Sequence, residues 1–150
     1  MRQKNKTIMK KLLILLLAIP LIGFSQTETK REYYESGKIL SIIEYKDGAR
    51  NGTCRYFHDY GAWAIKLTAN YKNGKMIGSF KTYYKNGQVK QEGNYKFTEK
   101  GVCSRKDGVW KNYYENGQLQ IESILKDGIQ VEWKSYRPDG SVRTMKEDWC

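Results

Sequence analysis

The sequence predicts an all-β protein, an antiparallel meander of β-hairpin repeats forming one elongated, twisted sheet. Three observations carry this. The phrase "TYYKNGQVKQE" at 82–92 recurs almost unchanged as "NYYENGQLQIE" at 112–122. Turn-forming dipeptides punctuate the chain: Ser36-Gly37, Asn86-Gly87, Asn116-Gly117 and Asp139-Gly140 form one series, and Asp47-Gly48, Asn73-Gly74 and Asp127-Gly128 a second. Between turns, apolar and polar residues alternate, which is the period-two signature of a strand. Helical periodicity is absent after the first 25 residues.

Those first 25 residues read as a signal peptide. "MRQKNKTIMKK" carries five basic residues and no acidic one, an apolar run follows at 12–24, and Gly23 and Ser25 are small residues placed for cleavage before Gln26. The run is short for a membrane span of about 20 residues and is interrupted by Pro20. The expectation is export, to a periplasmic, envelope-associated or extracellular location. Without the leader the net charge falls from +11 to +6, a value that suits solubility and does not demand nucleic acid. Export permits disulfides, and Cys54, Cys103 and Cys150 allow at most one internal bridge. Cys54 is expected to act as a small apolar filler.

Residues 26–31 read as a short linker, and a repeat domain of about four and a half units and about ten strands occupies 32–147. Its anchors are Gly37, Gly61, Gly87, Gly117 and Gly140, spaced by 24, 26, 30 and 23 residues. Four positions before each stands an aromatic: Tyr33, Phe57, Tyr83, Tyr113, Tyr136. Three positions before the later four come Cys54, Phe80, Trp110 and Trp133, each followed by a basic residue, Arg55, Lys81, Lys111 or Lys134. Two after each glycine come Ile39, Trp63, Val89, Leu119 and Val142. Agreement across so many columns defines a repeat protein. Asn-Gly and Asp-Gly predict two-residue hairpin turns with both residues at positive φ. The strand after Gly61 reads as two residues longer than its counterparts, a change that keeps side chains on their faces. The insertion at 96–108, "KFTEKGVCSRKDG", reads as a lengthened hairpin loop.

The phrase Y-Y-x-N-G-x-[LV], then K-[DN]-G, then G-x-[WF], resembles the bacterial variant of the MORN repeat. Tyr83, Tyr84, Asn86, Gly87, Val89 and Tyr113, Tyr114, Asn116, Gly117, Leu119 carry it, with Lys72, Asn73, Gly74, Gly78, Phe80, Gly108 and Trp110. The resemblance covers about 32–145. It implies a curved antiparallel sheet serving as an interaction surface; some bacterial members are labelled antitoxin or immunity proteins, and eukaryotic members are associated with membranes and scaffolding. Cys54 in the Trp/Phe column, Val131 near an expected glycine, and the incomplete last unit depart from the pattern, as terminal repeats often do.

No nucleophile, phosphate-loop or metal-ligand motif is present, and the single histidine, His58, falls in the column of Tyr34, Tyr84 and Tyr114 without a recurring acid beside it. A non-enzymatic binding role with no cofactor and no metal is therefore expected. The contact candidates are Arg55, Phe57, Lys81, Tyr83, Lys111, Tyr113, Lys134 and Tyr136, which alternation places on one face as basic and aromatic rows. Trp110 falls on the other face. The expected partner is a protein (a toxin, an envelope protein or another copy), with a glycan or membrane surface as the alternative; export disfavours nucleic acid.

Overall fold

The computed structural model describes residues 25–61, 63–98 and 103–143. The predicted leader, apart from Ser25, lies outside these residues, as do the end of the repeat domain and Cys150. The described chain is one antiparallel sheet of ten strands in chain order: β1 (Thr27–Tyr33), β2 (Ile39–Lys46), β3 (Ala49–Phe57), β4 (Ile65–Lys72), β5 (Lys75–Tyr83), β6 (Val89–Phe97), β7 (Ser104–Tyr113), β8 (Leu119–Lys126), β9 (Ile129–Tyr136) and β10 (Val142–Arg143). The sheet is open, since β1 and β10 each pair with a single neighbour.

Three boundaries differ from expectation. Residues 27–31 are not a linker: they pair along β2 from Thr27↔Lys46 to Arg31↔Ile42. Much of the 96–108 insertion is strand, with Lys96↔Arg105 and Phe97↔Ser104 paired, so the added residues lengthen β6 and β7. The two extra residues after Gly61 lie in the loop. β4 has eight residues, as do β2 and β8, and Phe57 pairs with Ile65 in place of Trp63.

The two turn series are different structures. Asp47-Gly48, Asn73-Gly74 and Asp127-Gly128 have both residues at positive φ, as a two-residue primed turn requires. In the first series only the glycine does. Tyr84 N–H donates to Gln88 O at 2.8 Å and Gly87 N–H to Tyr84 O at 3.0 Å, so the connection is the five-residue loop 84–88; loops 34–38 and 114–118 have the same bonds. Asn86 is there for its side chain: Oδ1 accepts the Gln88 N–H at 3.0 Å, and Nδ2 donates to Glu115 O, in the next loop of the series, at 2.8 Å.

Register bulges recur. One follows the first residue of each even strand up to β8, which sets Tyr33↔Ile39, Phe57↔Ile65, Tyr83↔Val89 and Tyr113↔Leu119 opposite one another. A second sits in β3, β5 and β7, where three residues around Gly52, Gly78 and Gly108 stand opposite one residue of the preceding strand. Those glycines have φ of 109°, 70° and 72°, a backbone that side chains resist. Two extra residues preserve the faces. Strand β9, with Val131 in this place, has a single-residue bulge instead.

A single layer has no second sheet to cover it, yet one face is packed. Its central row runs Ile43, Cys54, Ala69, Phe80, Gly93, Trp110, Ser123, Trp133, joined by direct cross-strand pairs and by the Trp110 ring over Gly93. Large residues on odd strands meet small ones on even strands. The first copy reverses the sizes, Ile43 against Cys54, which explains the departure at Cys54: the volume sits on the neighbouring strand. Ile43, Cys54, Ala69 and Trp110 are all buried. Phe80, Tyr95 and Trp110 form a ring cluster with centroids 5.3–5.7 Å apart. Long cations roof these rings and others, Lys30 over Tyr45, Arg50 over Tyr71 and Lys106 over Trp110 at 4.1 Å. Their aliphatic stems cover apolar surface while the charged ends stay wet; burial holds the Lys106 ammonium below its usual pKa.

A candidate partner-binding face

The opposite face carries the predicted contact residues. Direct pairs define its central row: Arg31, Ile42, Arg55, Thr68, Lys81, Glu92, Lys111, Glu122, Lys134. The basic residues expected there do share the face. They do not form an unbroken basic strip, because the even strands insert Glu92 and Glu122 between them. Lys81 Nζ lies 2.7 Å from Glu92 Oε2, and Lys111 Nζ 3.4 Å from Glu122 Oε2. From β5 to β9 the row therefore alternates in sign. Sequence reasoning missed the acids because it followed the odd strands; both stand five residues after the anchor glycine, Gly87 or Gly117.

The aromatic row divides. The Tyr113 hydroxyl donates to Glu92 Oε1 at 2.7 Å, so one carboxylate holds a lysine on one oxygen and a tyrosine on the other. Lys81 first and Tyr113 second keep the Glu92 carboxyl below the ordinary carboxylate range. The same contact raises Lys81. Burial, with help from Glu92, pushes the Tyr113 phenol up to about 12. Tyr83 and Tyr136 are half-buried. Phe57 is 4% exposed and leaves the contact row: Trp63 covers it edge-on with centroids 5.6 Å apart. Arg55 is half-buried and Lys134 exposed, and neither makes a described ion pair.

Two apolar residues complete the face. Val109 and Ile124 are paired across β7 and β8, and are 47% and 39% exposed. They lie one step along their strands from the Lys111–Glu122 pair. Ser79, Asn94 and Val109 line an open groove of about 450 Å³ with Lys81, Glu92, Lys111 and Glu122. An exposed apolar pair beside complementary charges, a hydroxyl and an amide has the make-up of a contact surface. Neither residue stood in a column that the repeat highlighted.

At the loop edge of the sheet, the second tyrosine of each pair ties one repeat to the next. Tyr34, Tyr84 and Tyr114 donate to Phe57 O, Tyr113 O and Tyr136 O at 2.8, 2.7 and 2.9 Å. His58 occupies this column in the second unit and makes no such bond. Tyr60 replaces it, donating to Lys85 O at 2.6 Å.

An open sheet of stacked hairpins, tied edge to edge by tyrosine hydroxyls, packed on one face and charged on the other, is a linear repeat scaffold. The family model described as MORN repeat variant matches residues 29–47, 76–97 and 106–127, and the chain carries the MORN repeat variant at these three places. The matches fall on β1–β2, β5–β6 and β7–β8. Of the two unmatched hairpins, β3–β4 has Cys54, His58 and the longer loop, and β9–β10 is the last unit. MORN repeats commonly serve binding or membrane association. No match was found among curated proteins or among solved structures.

Proposed function

We propose that this is an exported, non-enzymatic repeat protein that binds a protein partner, of the kind a toxin or an envelope protein would be, through the face carrying Lys81, Glu92, Lys111 and Glu122. The observation that carries the reading is the division of labour between faces. One is filled by the chain's own aromatic rings and roofed by its own cations. The other keeps Val109 and Ile124 open beside a row of alternating charge. Alternating charge favours a partner of matching pattern over a merely acidic one, since a like charge placed opposite costs several kcal/mol. The uncompensated Arg55 and Lys134 add a modest pull on acidic surfaces. The leader-like charge asymmetry of residues 1–25 supports export, and mass spectrometry of the envelope fraction tests it: a mature N-terminus at Gln26 is expected, and an intact Met1 in a cytoplasmic fraction contradicts it. The binding reading is tested by recovering a partner from the native envelope and repeating the capture with Val109→Asp/Ile124→Asp. Loss of the partner by a folded variant is expected; undiminished capture contradicts this choice of face.

A further inference from the structure

We infer that a second, separate site lies between the loops of the first and second repeats, and that it takes a single hydroxylated ring, a sugar residue. Loop 58–64 is two residues longer than its sisters, and the extra length presents Trp63. This side chain is 62% exposed, and its backbone sits at φ 63°, where a bulky residue is a genuine outlier. Outliers of this kind persist where the surroundings force them, often at ligand clamps. Its contact with Phe57 is T-shaped, with centroids 5.6 Å apart, and leaves most of the indole in solvent.

Between the loops lies a cavity of about 240 Å³, lined by Lys38, Phe57, His58 and Trp63 with backbone from both loops. That is room for about one ring. The His58 ring forms part of the wall, with its Nε2 buried beneath the surface and closed to an occupant. The Lys38 ammonium donates to Asp59 O at 2.9 Å and keeps further protons for a second acceptor. Among the described residues no carboxylate lines the cavity. An occupant must lay a flat C–H surface on an aromatic wall and bring a hydroxyl to the Lys38 ammonium. A hydrocarbon ring meets only the first demand. A sugar ring meets both, whether free or at the end of a glycan chain.

The test is NMR titration of the mature chain with N-acetylglucosamine, glucose and galactose, with a β-1,4-linked trisaccharide of N-acetylglucosamine, and with p-cresol as a mimic of a tyrosine side chain. The proposal expects at least one sugar to shift the Trp63 indole and the Gly61 amide saturably, with Kd on the order of millimolar, while the buried Trp110 indole stays still. A tighter response to the trisaccharide assigns the source to a polymer, and an equal response to a free sugar. Trp63→Ala and Lys38→Met should each weaken binding about tenfold or more, with an unchanged Trp110 signal showing that the sheet is intact. The Val109→Asp/Ile124→Asp variant should bind the sugar normally, so this site and the contact face stand or fall separately. Saturation by p-cresol alone, no response to any probe, or sugar shifts that survive Trp63→Ala would each overturn the proposal.

Discussion

The Trp110 ring lies so close to β6 that a methyl group on Gly93 would stand 2.2 Å from it, and this one pair shows why columns of the repeat hold what they do. Trp110 is 2% exposed and donates from Nε1 to Asn94 O at 3.2 Å. Trp110→Ala should cost about 3–5 kcal/mol, the range for deleting a buried ring. Gly93→Ala should cost about 1–3 kcal/mol by overpacking, although it adds a single carbon. Urea denaturation measures both; a cost below about 0.5 kcal/mol for either would place the ring on the surface. The Trp110 column was legible in the sequence because three units write a large aromatic there, Phe80, Trp110 and Trp133. Glycine at 93 was not, since its reason is a neighbour on another strand. Glu92 offers a pH test. Its carboxyl is held low in the folded state, so its stabilising contribution is full above the ordinary carboxylate pKa of about 4.3 and disappears as pH falls through its own lower value. Stability should therefore decline below about pH 4, and Glu92→Gln should flatten that decline. An identical acid profile in the variant would show that Lys81 and Tyr113 do not favour the ionised form.

Loops 84–88 and 114–118 share three features: the tyrosine hydroxyl, the asparagine amide and the glycine at positive φ. The phrase that recurs in these two copies is explained by these contacts, since each hands a hydroxyl and an amide hydrogen to the next copy's backbone. Tyr84→Phe and Tyr114→Phe should each cost about 0.5–1.5 kcal/mol, the net value of one hydrogen bond, or somewhat more where the carbonyl stays buried. Tyr34→Phe should behave alike, and His58→Tyr should gain stability if the new hydroxyl reaches Tyr83 O as its counterparts do. Chemical denaturation of the four variants decides; equal stability throughout would reduce the hydroxyl ladder to decoration. Asn-Gly in the sequence announced a turn correctly and its type wrongly in the first series. The dipeptide suits a primed two-residue turn, but Asn86 is more useful outside positive φ, where its amide spans to Glu115. The same tertiary demand moved the insertion after Gly61 from strand to loop: neighbouring strands hold β4 in register, and only the free edge can absorb length.

At the scale of the molecule, contacts among the described residues run almost entirely between consecutive strands, and β1 and β10 each have one neighbour. Stability is then a sum over repeats and their interfaces. The β9 end should open first, because Trp133 remains 45% exposed and β9 is exposed from Ile129 to Lys134; hydrogen exchange fastest in β9 and slowest in β5–β7 is the expected pattern. The meander was legible from spacing alone, because each strand pairs with its sequence neighbour; most of β1 was not, since residues 27–31 precede the first repeat column. The character of the contact face was only half legible. Period-two alternation placed Lys81, Lys111 and Lys134 together, whereas the acids that interleave them belong to other strands and emerge only with the register. The central claim is that this alternating face, with its apolar pair, is where the partner docks. The most direct measurement exchanges the charges of one rung, Lys111→Glu with Glu122→Lys, which keeps the pair and inverts the pattern. Stopped-flow association with the partner recovered from the envelope should then slow about tenfold or more, with the wild-type rate falling as salt rises, while the like charges set opposite Glu92 and Lys134 lower stability by about 0.2–1 kcal/mol each and leave the sheet folded. A folded variant that associates at the wild-type rate would contradict the account and move the contact surface away from this face.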